Sequence, residues 1–285
     1  MFFPIPQFKP TMPVVAFDVI GTLFALDVAI DQLAATFPNL SVPSHVAFYL
    51  WLWAGLRDYF ASSHAGPYVP LMTVLRASLP RTLAVVGYDM SVVKDEDYDA
   101  VMASFKRLEL APGMADAVKR LSGLGWEVWG VTNGGKEATI ASLGRTGLLE
   151  YFGGGKNVQS CDDLQLSKPH PRVYNTWMRT VVHETKKIET FMYINPLSLP
   201  PLPFQNFYFI ATHAWDLGGA HNNAIRTVFL TTEEKIYIPG VFEKPDVQGD
   251  TIEECVEQMV GLERRKSLLW TKGTDAVKLR VTEPL

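Results

Sequence analysis

Cysteine is scarce in this chain, whose 285 residues include only Cys161 and Cys255. A protein of this length does not need a disulfide framework, and so few cysteines are typical of proteins that work in a reducing compartment. We therefore expect two free thiols and a cytoplasmic protein.

Long hydrophobic runs are also missing. The longest apolar run, residues 46–56, is far shorter than the ~20 residues that span a bilayer. The N-terminal segment MFFPIPQFKPTMP has no basic region, and its prolines would break an apolar signal helix. We expect neither a signal peptide nor a membrane partner.

Positive charge is not in excess. Lys and Arg number 26 against 30 Asp and Glu, which gives a formal net charge of −4 at pH 7. Because nothing here provides a basic field for phosphate backbones, we do not expect nucleic acid as a partner. A small-molecule substrate is expected instead, and the sequence leaves open whether the chain forms a homodimer.

What the sequence does contain is a globular composition, with 47% hydrophobic and 20% charged residues. Apolar runs rich in β-branched residues alternate with segments of helical periodicity along most of the chain. This alternation predicts an α/β fold with a doubly wound parallel sheet. The predicted strands are 14–17, 126–131, 157–161, 207–211 and 226–231, and the predicted helices follow Pro112, Lys136, Pro171 and Asp216.

The alternation stops between Phe24 and Leu108, where only helices are predicted, one of them with Ser44 as its N-cap. We interpret residues 24–108 as an inserted helical cap domain and residues 1–23 with 109–261 as the core domain. Residues 262–285 form a C-terminal extension with no clear assignment. Pro196 to Pro203 is predicted to be a loop.

Polar residues stand at the ends of two predicted strands. Asp18 ends the first strand, and Thr132 and Asn133 end the next. Ligands of open parallel sheets bind beyond the carboxyl ends of the strands, so these side chains should meet in one crevice, with the cap above it. A carboxylate at the end of a buried strand is costly unless chemistry or a partner requires it.

Four separated motifs extend this pattern: FDVIGTL at 17–23, VTNGG at 131–135, SKPHPRVY at 167–174 and HAWDLGGA at 213–220. With these motifs, in this order, residues 14–260 resemble the haloacid dehalogenase superfamily and, within it, the L-2-haloacid dehalogenase group. The resemblance implies a Rossmann-like core with a helical cap, and a hydrolase that needs no metal ion or other cofactor.

The resemblance also implies roles for individual residues. Asp18 would be the nucleophile that displaces a leaving group at carbon and forms an aspartyl ester. Thr22 would orient its carboxylate, and Lys168 would pair with it and keep it ionised. Asp216 would help to position and activate the water that hydrolyses the ester. Without the other motifs, Lys168 would be interpreted as a solvated loop residue and Asp216 as a helix cap.

Three further residues would contact the substrate or the same cluster. Thr132 and Asn133 would donate hydrogen bonds to the substrate carboxylate or to the leaving group. Tyr174 would contact the cluster from the next helix, although an aromatic residue at this spacing is equally consistent with core packing.

The chain departs from the L-2-haloacid dehalogenase pattern in its cap. The arginine that helps to draw off the halide in that group aligns with Trp53, and Arg57 lies one turn further along the same predicted helix. Arg57 could replace the arginine if the helix is shifted, or it could be an ordinary surface residue. We predict both residues as candidates for substrate binding.

Two other departures lie in the fourth motif and just before it. His213 replaces an asparagine, and a histidine there could act as a general base on water or serve a structural role. Ala211 stands where the dehalogenases have a serine, and where the phosphatases of the superfamily have an aspartate that holds magnesium. Those phosphatases also have an acid–base aspartate where this chain has Ile20.

The sequence therefore leaves several functions open. Dehalogenation of a 2-haloacid is the first. The others are a reaction without dehalogenation on a bulkier organic substrate, as in natural-product tailoring, a magnesium-dependent phosphatase, and a relative without activity that binds a ligand. Against the last, a cluster of buried charges without a function would be costly to keep.

Overall fold

The computed structural model describes residues 12–185 and 207–265. Within these ranges a single parallel sheet has the strand order β3-β2-β1-β4-β5-β6. The predicted parallel sheet is confirmed, and β6 is a strand that the sequence patterns did not predict. The strands are β1 (Val14–Asp18), β2 (Glu127–Thr132), β3 (Val158–Ser160), β4 (Phe207–Ala211), β5 (Arg226–Leu230) and β6 (Val247–Gly249).

Two apolar layers cover the two faces of this sheet. In β1, Val15 and Phe17 belong to one buried cluster, and Val14 and Ala16 belong to the other. This is the two-residue alternation of a strand that is buried on both sides, which explains why β1 consists almost entirely of apolar residues.

Helices of the core follow the strands, as expected for a doubly wound fold. Outside the insertion the described helices are α5 (Met114–Gly123), α6 (Lys136–Arg145), α7 (Cys161–Leu164), α8 (Pro171–Thr185), α9 (Ala214–His221) and α10 (252–265), with a 3₁₀ segment at Leu149–Gly155. Residues from α5 and α10 pack on the face of Val15, and residues from α8 and α9 pack on the face of Ala16.

Between β1 and α5 the chain contains helices and no strand of the sheet, as predicted. These are α1 (Asp27–Thr36), α2 (Ser44–Ala65), α3 (Leu71–Val85) and α4 (Asp95–Ser104), with 3₁₀ turns at Met90–Val92 and Phe105–Arg107. The helix at Ser44 exists, but Pro43 is its N-cap residue and no side-chain cap bond forms, so the prediction that Ser44 is the N-cap was wrong.

The two ends of this insertion lie side by side. The Ala25 N–H donates to the Glu109 carbonyl at 2.9 Å, and the Ala111 N–H donates to the Leu23 carbonyl at 3.0 Å. Because the chain leaves and re-enters the core at one place, we propose residues 24–108 as the cap domain.

Helix α10 continues past residue 262, where the predicted C-terminal extension begins. Residues 266–285 and the predicted loop Pro196 to Pro203 lie outside the described residues. Both cysteines are free and buried, and burial raises the pKa of each thiol to about 12. None of the described helices is long and apolar enough to cross a membrane.

Candidate active site

Polar residues from neighbouring strands meet at the carboxyl edge of the sheet. Asp18 is the last residue of β1, Thr132 the last of β2 and Ser160 the last of β3, while Thr212 and His213 directly follow β4. All five are buried. The strand order reverses direction at β1: β2 and β3 follow on one side of it, and β4, β5 and β6 follow on the other. This is the switch point at which parallel sheets bind ligands.

Lys168 lies between two carboxylates. Its Nζ donates to Asp18 Oδ1 at 2.6 Å, to Asp216 Oδ2 at 2.5 Å and to the Val131 carbonyl at 3.2 Å. These contacts use the three N–H donors of the ammonium group. The Lys168 side chain has 0% exposure. Burial alone would lower its pKa, but the charges of Asp18 and Asp216 outweigh burial and raise the pKa.

Asp18 is held in its ionised form. Thr22 donates its hydroxyl proton to Asp18 Oδ2 at 2.8 Å, and the Thr212 N–H donates to the Thr22 hydroxyl oxygen at 3.1 Å. Burial would raise the pKa of Asp18, but the charge of Lys168 and the contacts with His213 outweigh it and lower the pKa well below its usual range. The structure therefore provides an anionic carboxylate whose orientation is fixed on both oxygens.

Asp216 lies on the far side of Lys168. The Tyr174 hydroxyl donates to Asp216 Oδ1 at 2.5 Å, and burial and the nearby Asp18 charge raise the pKa of Asp216 despite the opposing effect of Lys168. A Cβ atom at Gly219 would lie 2.6 Å from the Tyr174 oxygen, so the absence of a side chain at Gly219 leaves the space that the Tyr174 hydroxyl occupies. Tyr174 thus joins the cluster through Asp216. The Asp216 side chain itself has no exposed surface.

His213 lies between the carboxylates of Asp18 and Glu233. Its Nδ1 lies 3.5 Å from Asp18 Oδ2, and its Nε2 donates to Glu233 Oε1 at 3.0 Å, since a carboxylate can only accept. Burial would lower the pKa of His213, but the charges of Glu233 and Asp18 outweigh it and raise the pKa well above its ordinary value. The two neighbouring carboxylates therefore favour the protonated form of His213, and its role as a general base stays a prediction.

Glu233 was missed by the sequence analysis. It follows β5 in the segment TTEEK, which has no periodicity or motif that would mark it. Its carboxylate also lies over Gly21, where φ is +86° and a Cβ atom would lie 2.3 Å from Glu233 Oε2. Gly21 of the first motif thus leaves room for a residue that is remote in sequence.

Thr132 and Asn133 shape the end of β2. The Thr132 hydroxyl oxygen accepts from the Gly134 N–H at 2.9 Å, which tightens the turn. Asn133 Oδ1 accepts from the Lys168 N–H at 2.9 Å. Among the described residues Asn133 Nδ2 has no hydrogen-bond partner, so this amide has a donor to offer at the crevice.

In the described part of the chain, neither cap candidate forms a hydrogen bond or an ion pair with the carboxylate cluster. Arg57 forms an ion pair with Asp58 at 2.9 Å, and its side chain is 68% exposed, so the suggestion that it replaces the arginine of the dehalogenases has no support in its position. Trp53 is 51% exposed, and its ring lies 5.6 Å from that of Tyr49 on the same helix.

Aromatic and hydroxyl groups join the cap to the core. The Phe60 ring lies 4.8 Å from the Trp215 ring. Tyr68 donates its only hydroxyl proton to Asp162 Oδ1 at 2.6 Å. The Tyr59 hydroxyl, 2.8 Å from the Tyr68 oxygen, must therefore donate to that oxygen. These contacts hold α2 and the segment after it against the edge of the sheet.

An apolar cavity of about 310 Å³ lies between cap and core. It is lined by Ile20, two residues after Asp18, and by Gly134, directly after Asn133. On the cap side its walls include Met72, Met102 and Phe105. The cavity therefore borders two of the four motifs and offers apolar surface next to them.

The donor set does not fit the magnesium ion that phosphatases of this fold use. Ile20 and Ala211 supply no oxygen ligand from their side chains, and the ammonium group of Lys168 lies between Asp18 and Asp216. Among the described residues no three histidine, cysteine or acidic side chains form a group that could hold a metal ion.

A model of haloacid dehalogenase-like hydrolases matches residues 12–188. The chain belongs to this family. It is therefore an enzyme, a hydrolase of the haloacid dehalogenase type, and its parallel sheet is the core of that fold.

Curated relatives carry dehalogenase names. The chain is 26% identical over 221 residues to the (S)-2-haloacid dehalogenase 4A of Burkholderia cepacia, which covers 76% of this chain and 82% of the relative. It is 20% identical over 245 residues to the (S)-2-haloacid dehalogenase of Pseudomonas putida, and this match covers 86% of this chain and 93% of the relative.

A solved structure shares the fold. The L-2-haloacid dehalogenase of Xanthobacter autotrophicus superposes with a TM-score of 0.67 at 19% identity, covering 88% of this chain and 99% of that one. The same protein has also been solved with chloropropionic acid covalently bound, and that structure gives a TM-score of 0.66.

Proposed function

We propose that this hydrolase removes the halogen of a 2-haloacid without a metal ion, with Asp18 as the nucleophile. The observation that carries the proposal is the anionic Asp18 carboxylate at the switch point, held by Lys168 at 2.6 Å and by Thr22 at 2.8 Å. A carboxylate in this form can displace a leaving group at saturated carbon. The dehalogenase names of the relatives support the same substrate class.

In the first step an Asp18 oxygen forms a bond to C2 of the substrate as the carbon–halogen bond breaks. The halide leaves with the bonding electrons, and Asp18 becomes an ester. Asn133 Nδ2 would donate to the substrate carboxylate or to the leaving halide, since Asn133 Oδ1 already accepts from the Lys168 N–H. Lys168 limits the charge that two carboxylates and an anionic substrate bring together.

In the second step water attacks the carbonyl carbon of the ester. The bond between that carbon and the substrate oxygen breaks, which releases the 2-hydroxy acid and returns Asp18 with one oxygen from water. We assign His213 to this step, since it faces the Asp18 carboxyl group. Asp216 supports the step through Lys168, whose ammonium group it shares with Asp18.

A single-turnover experiment in heavy-oxygen water tests the proposal. With excess enzyme and 2-chloropropionate, label should enter Asp18 and not the product, because the product takes its new oxygen from the enzyme. Mass spectrometry of the Asp18 peptide measures this. Label found only in the product would mean direct attack by water and would contradict covalent catalysis.

Asp18→Asn should abolish halide release in the same assay, because an uncharged amide is a poor nucleophile. Asp116→Asn, at an exposed position of α5, is the matched control and should release halide at the wild-type rate.

A second candidate is an organic substrate bulkier than a short haloacid, transformed with or without loss of halide. The observation in its favour is the apolar cavity of about 310 Å³ next to Ile20 and Gly134, together with the absence of a cap arginine from the crevice. A screen of halide release over short and aryl-bearing 2-haloacids separates the two. Preference for the aryl compounds would favour the second candidate, and no halide from either class would exclude dehalogenation.

A further inference from the structure

Glu233 and His213 form a buried pair that extends the Asp18 site. The two side chains are 4% and 5% exposed, and 3.0 Å separates Glu233 Oε1 from His213 Nε2. The other ring nitrogen, Nδ1, lies 3.5 Å from Asp18 Oδ2 and 3.4 Å from the Thr212 hydroxyl. His213 therefore bridges two carboxylates, one of which is the proposed nucleophile.

The hydrogen bond between His213 and Glu233 has a fixed direction. Because a carboxylate only accepts hydrogen bonds, Glu233 requires a proton on Nε2 and leaves Nδ1 as the nitrogen that can lose or gain one. Nδ1 faces the carboxyl group whose carbon water must attack. The Trp215 ring lies 5.4 Å from the imidazole and restricts its movement.

The charge around His213 changes during the reaction. In the resting site two anions, Asp18 and Glu233, act on the ring, and both favour its protonated form. Esterification of Asp18 removes the anionic side chain next to Nδ1, and Glu233 remains as the partner of Nε2. An imidazolium that has lost one of its two anionic partners releases its proton at a lower pH.

We propose that Glu233 is a positioning residue that holds His213 for hydrolysis of the Asp18 ester, and that loss of the Asp18 charge on esterification turns His213 into the base for this step. This inference rests on the proposed ester at Asp18. It assigns to the segment after β5 a part in the reaction that the four motifs do not contain.

The proton balance closes over one turnover. After the halide has left, His213 releases the Nδ1 proton to solvent, then takes one from water as its oxygen bonds to the ester carbon. The departing alkoxide takes that proton from His213 and leaves as the 2-hydroxy acid. Asp18, now a neutral acid, returns its proton to Nδ1, so the net products are 2-hydroxy acid, halide and one proton.

Other groups near the pair do not replace it. Lys168 lies on the opposite oxygen of Asp18, and Glu234 accepts from the Ala214 N–H at 2.8 Å, at the start of α9. From α2, burial and the charges of Glu233 and Asp27 raise the pKa of Tyr49 to about 12, so Tyr49 stays neutral.

The test measures ester breakdown in Glu233→Gln, Glu233→Asp and His213→Asn, with 2-chloropropionate as the probe. Rapid quenching and mass spectrometry follow the Asp18 ester, and a halide burst of one per active site shows that each variant folds and forms the ester. His213→Asn should slow breakdown by about 10²-fold or more, and Glu233→Gln by about tenfold, so that ester accumulates. Glu243→Gln, at an exposed position after the same strand, is the matched control and should behave as wild type.

The pH profile separates positioning from a structural role. In the wild type, breakdown should rise with pH as His213 in the ester form loses its proton. Glu233→Gln removes the remaining anion beside the imidazolium, so this rise should move to lower pH, and Glu233→Asp, which keeps the charge, should restore the wild-type profile.

Three results would overturn the inference. Glu233→Gln with the wild-type breakdown rate and pH profile would remove Glu233 from the reaction while leaving the labelled Asp18 and the proposed function intact. Loss of the halide burst in both Glu233 variants would show that Glu233 only supports the fold of the site. A wild-type protein that forms no ester would overturn this inference together with the proposed function.

Discussion

At Lys168 one ammonium group binds two carboxylates, at 2.6 Å and 2.5 Å, with no exposed side-chain surface. Two carboxylates in so small a space repel each other, and burial adds to the cost of their charges. The lysine offsets both effects, which is why the pKa of Asp18 stays low although the residue is buried. At the scale of single residues, the charge of the proposed nucleophile depends on this contact.

Lys168→Met should therefore abolish halide release and lower the free energy of unfolding by about 3–5 kcal/mol, because it removes the cation that two buried carboxylates share. Urea unfolding and a halide assay measure the two effects. Lys119→Met, at an exposed position of α5, is the control and should change neither by much. Turnover that survives in Lys168→Met would exclude Lys168 from the mechanism.

Among the elements, α2 and the segment after it decide how the cap meets the core. One side of α2 packs within the insertion through Phe48, Trp51 and Leu56. Near the carboxyl end of α2, Tyr59 is hydrogen-bonded to Tyr68, and Tyr68 is hydrogen-bonded to Asp162 at the start of α7. The bond from Tyr68 to Asp162 joins the cap to the turn after β3, so it should hold the crevice in its closed form.

Tyr68→Phe removes this bond and should weaken cap closure by about 1.5 kcal/mol, because a hydrogen bond to a charged group is lost. KM for a 2-haloacid should rise by roughly tenfold, and amide exchange in residues 65–70 should become faster. Tyr88→Phe is the control, since the Tyr88 ring packs on Phe37 within the cap. Equal KM and equal exchange in Tyr68→Phe would mean that the other cap contacts suffice.

Across the whole molecule, the site is assembled from segments as distant in sequence as Asp18 and Glu233. Lys168 and His213 face the carboxylates of Asp18, Asp216 and Glu233. Carbon–halogen displacement needs no further cation, because the departing group is a single halide. Phosphoryl transfer would bring more negative charge, and its neutralisation requires an ion for which ligands are missing at positions 20 and 211.

Full halide release after exhaustive chelation is therefore expected, with no hydrolysis of phosphate monoesters when magnesium is added. The measurement compares both activities in the chelated and the magnesium-supplemented protein. Magnesium-dependent release of phosphate at an ordinary enzymatic rate would contradict the proposed function and favour a phosphatase.

The sequence by itself determined the main elements of the core and the positions of the motifs. The strand ending at Asp18 could be predicted because a short apolar run followed by Gly21 is a local pattern, and the strand at Phe207–Ala211 for the same reason. β6 could not be predicted, because three residues are too few to show an alternation and its pairing with β5 comes from contacts across the sheet.

Only the tertiary structure decided which side chains outside the four motifs join the site and its surroundings. It pairs His213 with Glu233 and Tyr68 with Asp162, and it turns Arg57 toward Asp58 at the surface. Such pairs depend on how strands and cap pack, and the sequence around Glu233 or Asp162 has no period or motif that encodes a distant partner. The raised pKa of His213 follows from the same fact, because the sequence defines the residue type while the fold brings the charges of Glu233 and Asp18 close to its ring.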